Sequence, residues 1–153
     1  MDENSIEKER FEKEKRIANK CEELLTTAMR GKISALGLHL SGKDNSMKYA
    51  VAKSNFTTNA ERKWEDPKSF SMLKIVMPRH GFIQHYGVDR IRKGTDKKGF
   101  YREASHFTMQ KRPFIVDAIK SSGVIEYAVS EVGTARADYL MKNLKYWIDK
   151  FDK

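Results

Sequence analysis

The sequence predicts an α+β fold, a small, mainly antiparallel sheet packed against a long N-terminal helix, a proline-started helix and C-terminal helices. Three observations carry that prediction. Within Ser5 to about Ile33, Ile17, Cys21, Leu24, Leu25 and Ala28 fall three or four apart, which lines one face of a helix. "SFSMLKIVMP", Ser69 to Pro78, gathers Phe70, Met72, Leu73, Ile75 and Met77 in an apolar run that proline stops, the profile of a strand buried mostly on one face. "RPFIVDAIKSS" then puts Pro113 at a helix start, where its missing N–H costs nothing, with Gly123 to end or kink the helix.

The other elements follow from weaker signals. The first two turns of the N-terminal helix hold only Ile6 and Phe11 as apolar anchors, so we expect them to project as a solvated lever or docking arm. Gly31, Gly37 and Gly42 with Lys43-Asp44-Asn45-Ser46 mark a loop. "MKYAVAKSNF" reads as a strand with Tyr49, Val51 and Phe56 inward, or as a short helix. "GFIQHYGV" follows a corner at Arg79-His80 and is either a second strand or a helical turn, with Gly87 at a position suited to a left-handed backbone. "DRIRKGTDKKGFYRE" offers turn residues Gly94, Asp96 and Gly99 between Ile91 and Phe100-Tyr101, as in a β-hairpin. From Val124 to Phe151 helical spacing resumes, and Gly133-Thr134 divides two helices or bends one.

A chain of 153 residues with 39% hydrophobic and 33% charged residues suits one domain with a real core and polar extensions. We therefore read 1–153 as a single domain: the N-terminal helix over 1–33, strands within 47–87, a basic loop or hairpin over 88–111 and helices over 112–151. No apolar run is long enough to cross a bilayer, and the start "MDENSIEKERFEKEKR" lacks the order of a secretory signal. A reducing cytoplasm is the expected place of folding, and the single Cys21 is expected to be a small core residue rather than a reactive thiol. The formal charge of +9 is concentrated between Arg79 and Arg112, where Arg90, Arg92, Lys93, Lys97, Lys98, Arg102 and Lys111 meet only Asp89, Asp96 and Glu103. Such a field attracts polyanions or acidic protein surfaces.

Candidate chemistries are poorly supported. His80 and His85 are five apart, which suits neither one helix face nor one strand face, so a metal site with Asp89 or His106 is disfavoured against a backbone-bonded His85 and a corner His80. No serine lies in a GxSxG elbow, and "RKGTDKKG" has neither P-loop spacing nor a strand feeding a helix. No catalytic residue, metal or cofactor is therefore assigned. Phe100 and Tyr101 beside Arg102 are compatible with stacking on bases between phosphate contacts, which keeps a small basic nucleic-acid-binding protein as the alternative, although no helix-turn-helix, zinc-finger or RNP signature is present.

Two segments carry a family likeness. Phe82, Ile83, His85, Tyr86 and Gly87 in "GFIQHYGV", and Arg112, Pro113, Phe114, Ile115 and Ala118 in "RPFIVDAI", with the preceding strand and the long first helix, resemble the tail-completion or tail-terminator-like neck proteins of tailed bacteriophages. Val88 stands where that family commonly has threonine, and the loop over 88–111 is long and unusually basic. The resemblance implies a non-enzymatic head-tail connector of the virion, made in the host cytoplasm and assembled as a homo-oligomeric ring around the DNA channel. Portal, adaptor or tail-tube proteins are then the neighbours. Arg90, Arg92, Lys93, Lys97, Lys98 and Arg102 would meet an acidic adjoining ring or genomic DNA, while the outer and C-terminal helices would meet neighbouring subunits. Phe82, Tyr86, Gly87, Pro113 and Phe114 form the structural motif. We expect the inner face of the Pro113 helix, from Phe114 to Ile119, to press on Leu73, Ile75, Ile83 and Tyr86, and Gly87 to end a strand so that the loop leaves the sheet.

Overall fold

The computed structural model describes residues 3–38, 47–57, 69–92, 95–97, 100–102 and 105–151. Its elements are α1 (Glu3–Ala35), a 3-10 turn (Met47–Tyr49), β1 (Val51–Thr57), β2 (Ser69–Val76), α2 (Arg79–Tyr86), β3 (Val88–Arg92), β4 (Thr95–Lys97), β5 (Phe100–Arg102), β6 (Ser105–Met109), α3 (Phe114–Ser122) and α4 (Val124–Phe151). The class is α+β, with antiparallel pairing throughout: β1 with β2, β3 with β6, and β4 with β5.

The core is organised by α1. Ile17, Cys21, Leu25, Met29 and Ile33 recur every fourth residue and are all buried. Ala52 of β1, Ala118 of α3, and Val124 and Ala135 of α4 close over the first part of this stripe. Phe114, Ile115, Met47, Ala50 and Leu38 close over Ile33. Each such large apolar side chain contributes roughly 1.5–3 kcal/mol on burial before chain entropy is subtracted. Cys21 is fully buried, and burial pushes its thiol up from the ordinary value, so it behaves as a core residue.

Polar side chains of α1 hydrogen-bond the outer edge of β1. The Glu22 carboxylate accepts from the backbone N–H and hydroxyl of Ser54, Thr26 Oγ1 accepts the Ala52 N–H at 2.9 Å, and Arg30 Nε donates to the Ala50 carbonyl at 3.3 Å. The match is geometric: four helix residues rise about 6 Å and two strand residues span about 6.6 Å. Side chains at every fourth helix position therefore meet alternate strand residues, and the helix covers an edge that would otherwise invite strand pairing.

At the other end of the sheet a buried carboxylate joins three elements. Glu14, with 0% exposure, accepts the Phe70 N–H on Oε2 at 2.7 Å and the Arg136 Nε–H on Oε1 at 3.1 Å, while Arg136 also donates to the Phe70 carbonyl at 3.1 Å. Charge-assisted bonds of this kind are the strong ones. Glu14→Gln keeps an acceptor for Phe70 but removes the charge opposite Arg136. We expect it to lower the unfolding free energy in urea by about 1–2 kcal/mol.

Several expectations are corrected. The first turns of α1 do not project: Ile6 is buried, and the helix runs antiparallel to α4, with Lys142 to Glu9 at 2.6 Å, Lys13 to Asp138 at 3.5 Å and the Tyr139 hydroxyl to Glu7 at 3.2 Å. "GFIQHY" belongs to a helix, α2, so Gly87 ends a helix and not a strand, and Arg79 and His80 lie inside it. Tyr49 and Tyr86 are 53% and 68% exposed; Ala52 is the buried residue of β1. The inner face of α3 does share the core with Leu73 and Ile75, whereas Phe114 itself packs toward Ile33, Met47 and Ala50, with Phe82 partly buried beside it. Gly133 neither divides nor ends a helix, since α4 runs unbroken from Val124 to Phe151.

Candidate functional site

The two motif segments meet in space. Pro78 precedes the first turn of α2, and the helix presents Gln84 and His85 to the start of α3. The Gln84 carbonyl accepts the Arg112 N–H at 3.0 Å, and His85 Nδ1 accepts the Ile115 N–H at 3.3 Å. A helix leaves its first N–H groups without internal partners. Here His85, from another helix, supplies one of the missing acceptors, with its ring edge-on to Phe114 at 5.5 Å. Pro113 at the N-cap, φ −76°, has no N–H to satisfy.

Gly87 fits this junction for two reasons. Its backbone, φ 76° and ψ 173°, lies in a region that only glycine occupies readily. A Cβ there would also stand 2.8 Å from the Met109 carbonyl oxygen and 3.1 Å from the Lys111 nitrogen. The chain leaving α2 and the chain returning toward α3 therefore run side by side, and everything from 88 to 109 is enclosed between them.

That enclosed segment is a β-hairpin. Val88 pairs with Met109 and Arg92 with Ser105; beyond them Thr95 pairs with Arg102 and Lys97 with Phe100. The register is the same in both ladders, because two residues separate them on each strand. The described ladder places Arg90 and Arg92 opposite Phe107 and Ser105, and Lys97 and Arg102 toward its far end. Lys93 and Lys98, the other two predicted contact residues, lie outside the described residues, as do Gly94 and Gly99 of the expected turns. Among the described residues, none of the four strands packs substantially on the helices or on the β1–β2 pair, so the hairpin is attached to the body at its base.

His85 is buried, and burial holds its imidazole below the ordinary value of 6.5, with nearby Lys111 acting in the same direction. With Nδ1 accepting from Ile115, the neutral ring carries its proton on Nε2. Because the folded-state pKa lies below the unfolded one, the stabilisation by the neutral ring is complete above about pH 6.5 and is lost as pH falls. We expect His85→Asn, which accepts the same N–H but does not titrate, to reduce the stability loss seen between pH 7.5 and 5.5 in paired urea titrations.

His85 and His80 both lie on α2; among the described residues it is His85 that has a backbone hydrogen-bond partner, the Ile115 N–H. His106 Nε2 is 2.6 Å from Asp89 on the exposed stem of the hairpin. Among the described residues, no three His, Cys, Asp or Glu side chains converge as a metal-holding group, and no helix is long and apolar enough to cross a membrane. Glu14 and Gln84 were missed by sequence reasoning. Glu14 stands three residues before Ile17 and four before Ala18, a spacing that puts it on the buried stripe; Gln84 acts through its backbone, which carries no sequence signal.

No protein-family model matches the chain, and neither a curated protein nor a solved structure does.

Proposed function

We propose that this protein is a structural, non-enzymatic subunit of a phage neck or tail, a tail-completion or head-tail joining protein that closes into a ring around the DNA channel. One observation carries the reading beyond the sequence resemblance. "GFIQHYGV" and "RPFIVDAI" form one clamp, through Gln84, His85, Gly87, Arg112 and Ile115, and that clamp holds a basic hairpin clear of an α+β body. A ring subunit needs a rigid body for lateral contacts and a projecting element for the neighbouring layer. Arg90, Arg92, Lys93, Lys97, Lys98 and Arg102 give the projection a charge suited to an acidic adjoining ring or to DNA passing through the channel.

A nucleic-acid-binding protein is the second reading, favoured by the same six basic residues. Electron microscopy of virions that contain the protein, and of the purified chain at high concentration, separates the two. A closed annulus is the expected result. Absence of any annulus, with tight duplex-DNA binding whose log K falls steeply with log salt, by about 0.9 for each phosphate contacted, would replace the neck reading.

A further inference from the structure

The outer face of α4 carries a second apolar stripe, turned away from the one that packs on α1. Leu140, Met141, Leu144, Trp147, Ile148 and Phe151 are all exposed, from 40% at Trp147 to 82% at Phe151. In the first half of the helix the face continues through Ile125 and Val129, which form one wall of an open apolar cleft of about 510 Å³ against Phe70, Met72 and Leu73. Isolated exposed apolar residues are ordinary. At roughly 100–150 Å² each, the six downstream side chains alone present on the order of 600–900 Å². A standard interface buries ~800 Å² on each partner.

We propose that α4 pairs with α4 of a second copy of this chain, antiparallel about a two-fold axis, with the Leu144-to-Phe151 end of each helix seated in the cleft of the other. The spacing of the stripe supports this sense. Positions 125, 129, 132, 136, 140, 144, 147 and 151 step by four, three, four, four, four, three and four residues, a series that reads the same in both directions about Asp138. A two-fold pair requires such symmetry, because positions equidistant from the centre lie level with one another. Ile125 then lies level with Phe151 of the partner subunit, Val129 with the partner's Trp147, and Val132 with the partner's Leu144. Arg136, the charged residue of the series, bonds to Glu14 and Phe70 within its own chain.

Charge favours the same arrangement. Glu126 and Glu131 mark the first half of α4, whereas Lys142, Lys145 and Lys150 outnumber Asp149 in the last part of the helix. Antiparallel pairing opposes these signs, and parallel pairing would superpose them. The pairing is a property of the free chain and does not rest on the ring reading.

Sedimentation equilibrium of the full chain at micromolar concentration should give a dimer. Leu144→Asp, at an exposed position, should weaken that dimer about a hundredfold while leaving the far-UV circular dichroism unchanged. Single cysteines report the geometry, since native Cys21 is buried. With a short bismaleimide, Ala137→Cys, next to the two-fold, should cross-link to its own copy. Ser130→Cys should not, because its copies are about 24 Å apart along the helices. A chain that stays monomeric, a dimer that Leu144→Asp leaves intact, or equal cross-linking at both positions would overturn the proposal.

Discussion

Phe114→Ala is expected to lower the unfolding free energy by about 3–5 kcal/mol, the usual cost of truncating a fully buried aromatic side chain. Phe114 has 0% exposure and is among the largest fully buried side chains of the described residues. It touches more than one layer: Ile33 of α1, Met47 and Ala50 ahead of β1, and the His85 ring of α2. Loss of the ring leaves a void where α1, α2 and α3 converge, and it removes the edge-on contact that orients His85 toward the Ile115 N–H. The unfolding midpoint in urea should therefore fall sharply. Because His85 would no longer be held, the pH dependence attributed to it should flatten as well. Phe114→Leu, which refills most of the volume, should recover more than half of the lost stability.

Gly87→Ala should cost about 3 kcal/mol, from backbone strain of 1–3 kcal/mol together with the clash at the Met109 carbonyl. The affected oxygen is backbone, so relief requires one strand of the hairpin to move away from α2. The expected readout is local as well as global. Amide exchange at Val88, Met109 and Arg112 should accelerate more than exchange in the middle of α1, whose packing the substitution does not touch. Uniform acceleration across both regions would mean that the junction and the body unfold as one unit.

Much of the architecture is legible in the sequence because its signals are local. The apolar spacing from Ile17 to Ala28 gives α1, proline gives the start of α3, and Gly123 gives its end with φ 62°. A hairpin is the expected form of the basic segment, but of its expected turn residues Asp96 lies within β4, paired with Tyr101. What escapes is set by partners distant in the chain. Phe70 and Leu73 both face inward, a parity that no regular strand allows; a bulge at Ser71, between the pairs Asn55–Met72 and Phe56–Phe70, absorbs the extra residue. The Ser71 hydroxyl bonds the Asn55 carbonyl there at 3.1 Å.

Gly133 looks like a helix break, yet α4 runs unbroken through it, and packing on α1 outweighs a glycine cost of about 1 kcal/mol. The "GFIQHY" segment carries too few residues to choose between strand and helix by period, and its contact with Phe114 decides. Of the candidate site, the basic residues and the two motif segments could be read directly. The clamp that unites those segments depends on backbone groups of Gln84, Arg112 and Ile115, so side-chain identity says little about it.

The central claim is that the hairpin is an appendage fixed at its base, outside the cooperative body. Replacing residues 90–107 by Asn-Gly tests it directly, because Asp89 and Thr108 are paired positions that a two-residue turn can join. The account predicts a folded chain whose thermal midpoint lies within about 2 °C of the parent, with Gly87 and the start of α3 unchanged. A shortened chain that fails to fold, or melts more than about 10 °C lower, would place the hairpin inside the core and contradict it.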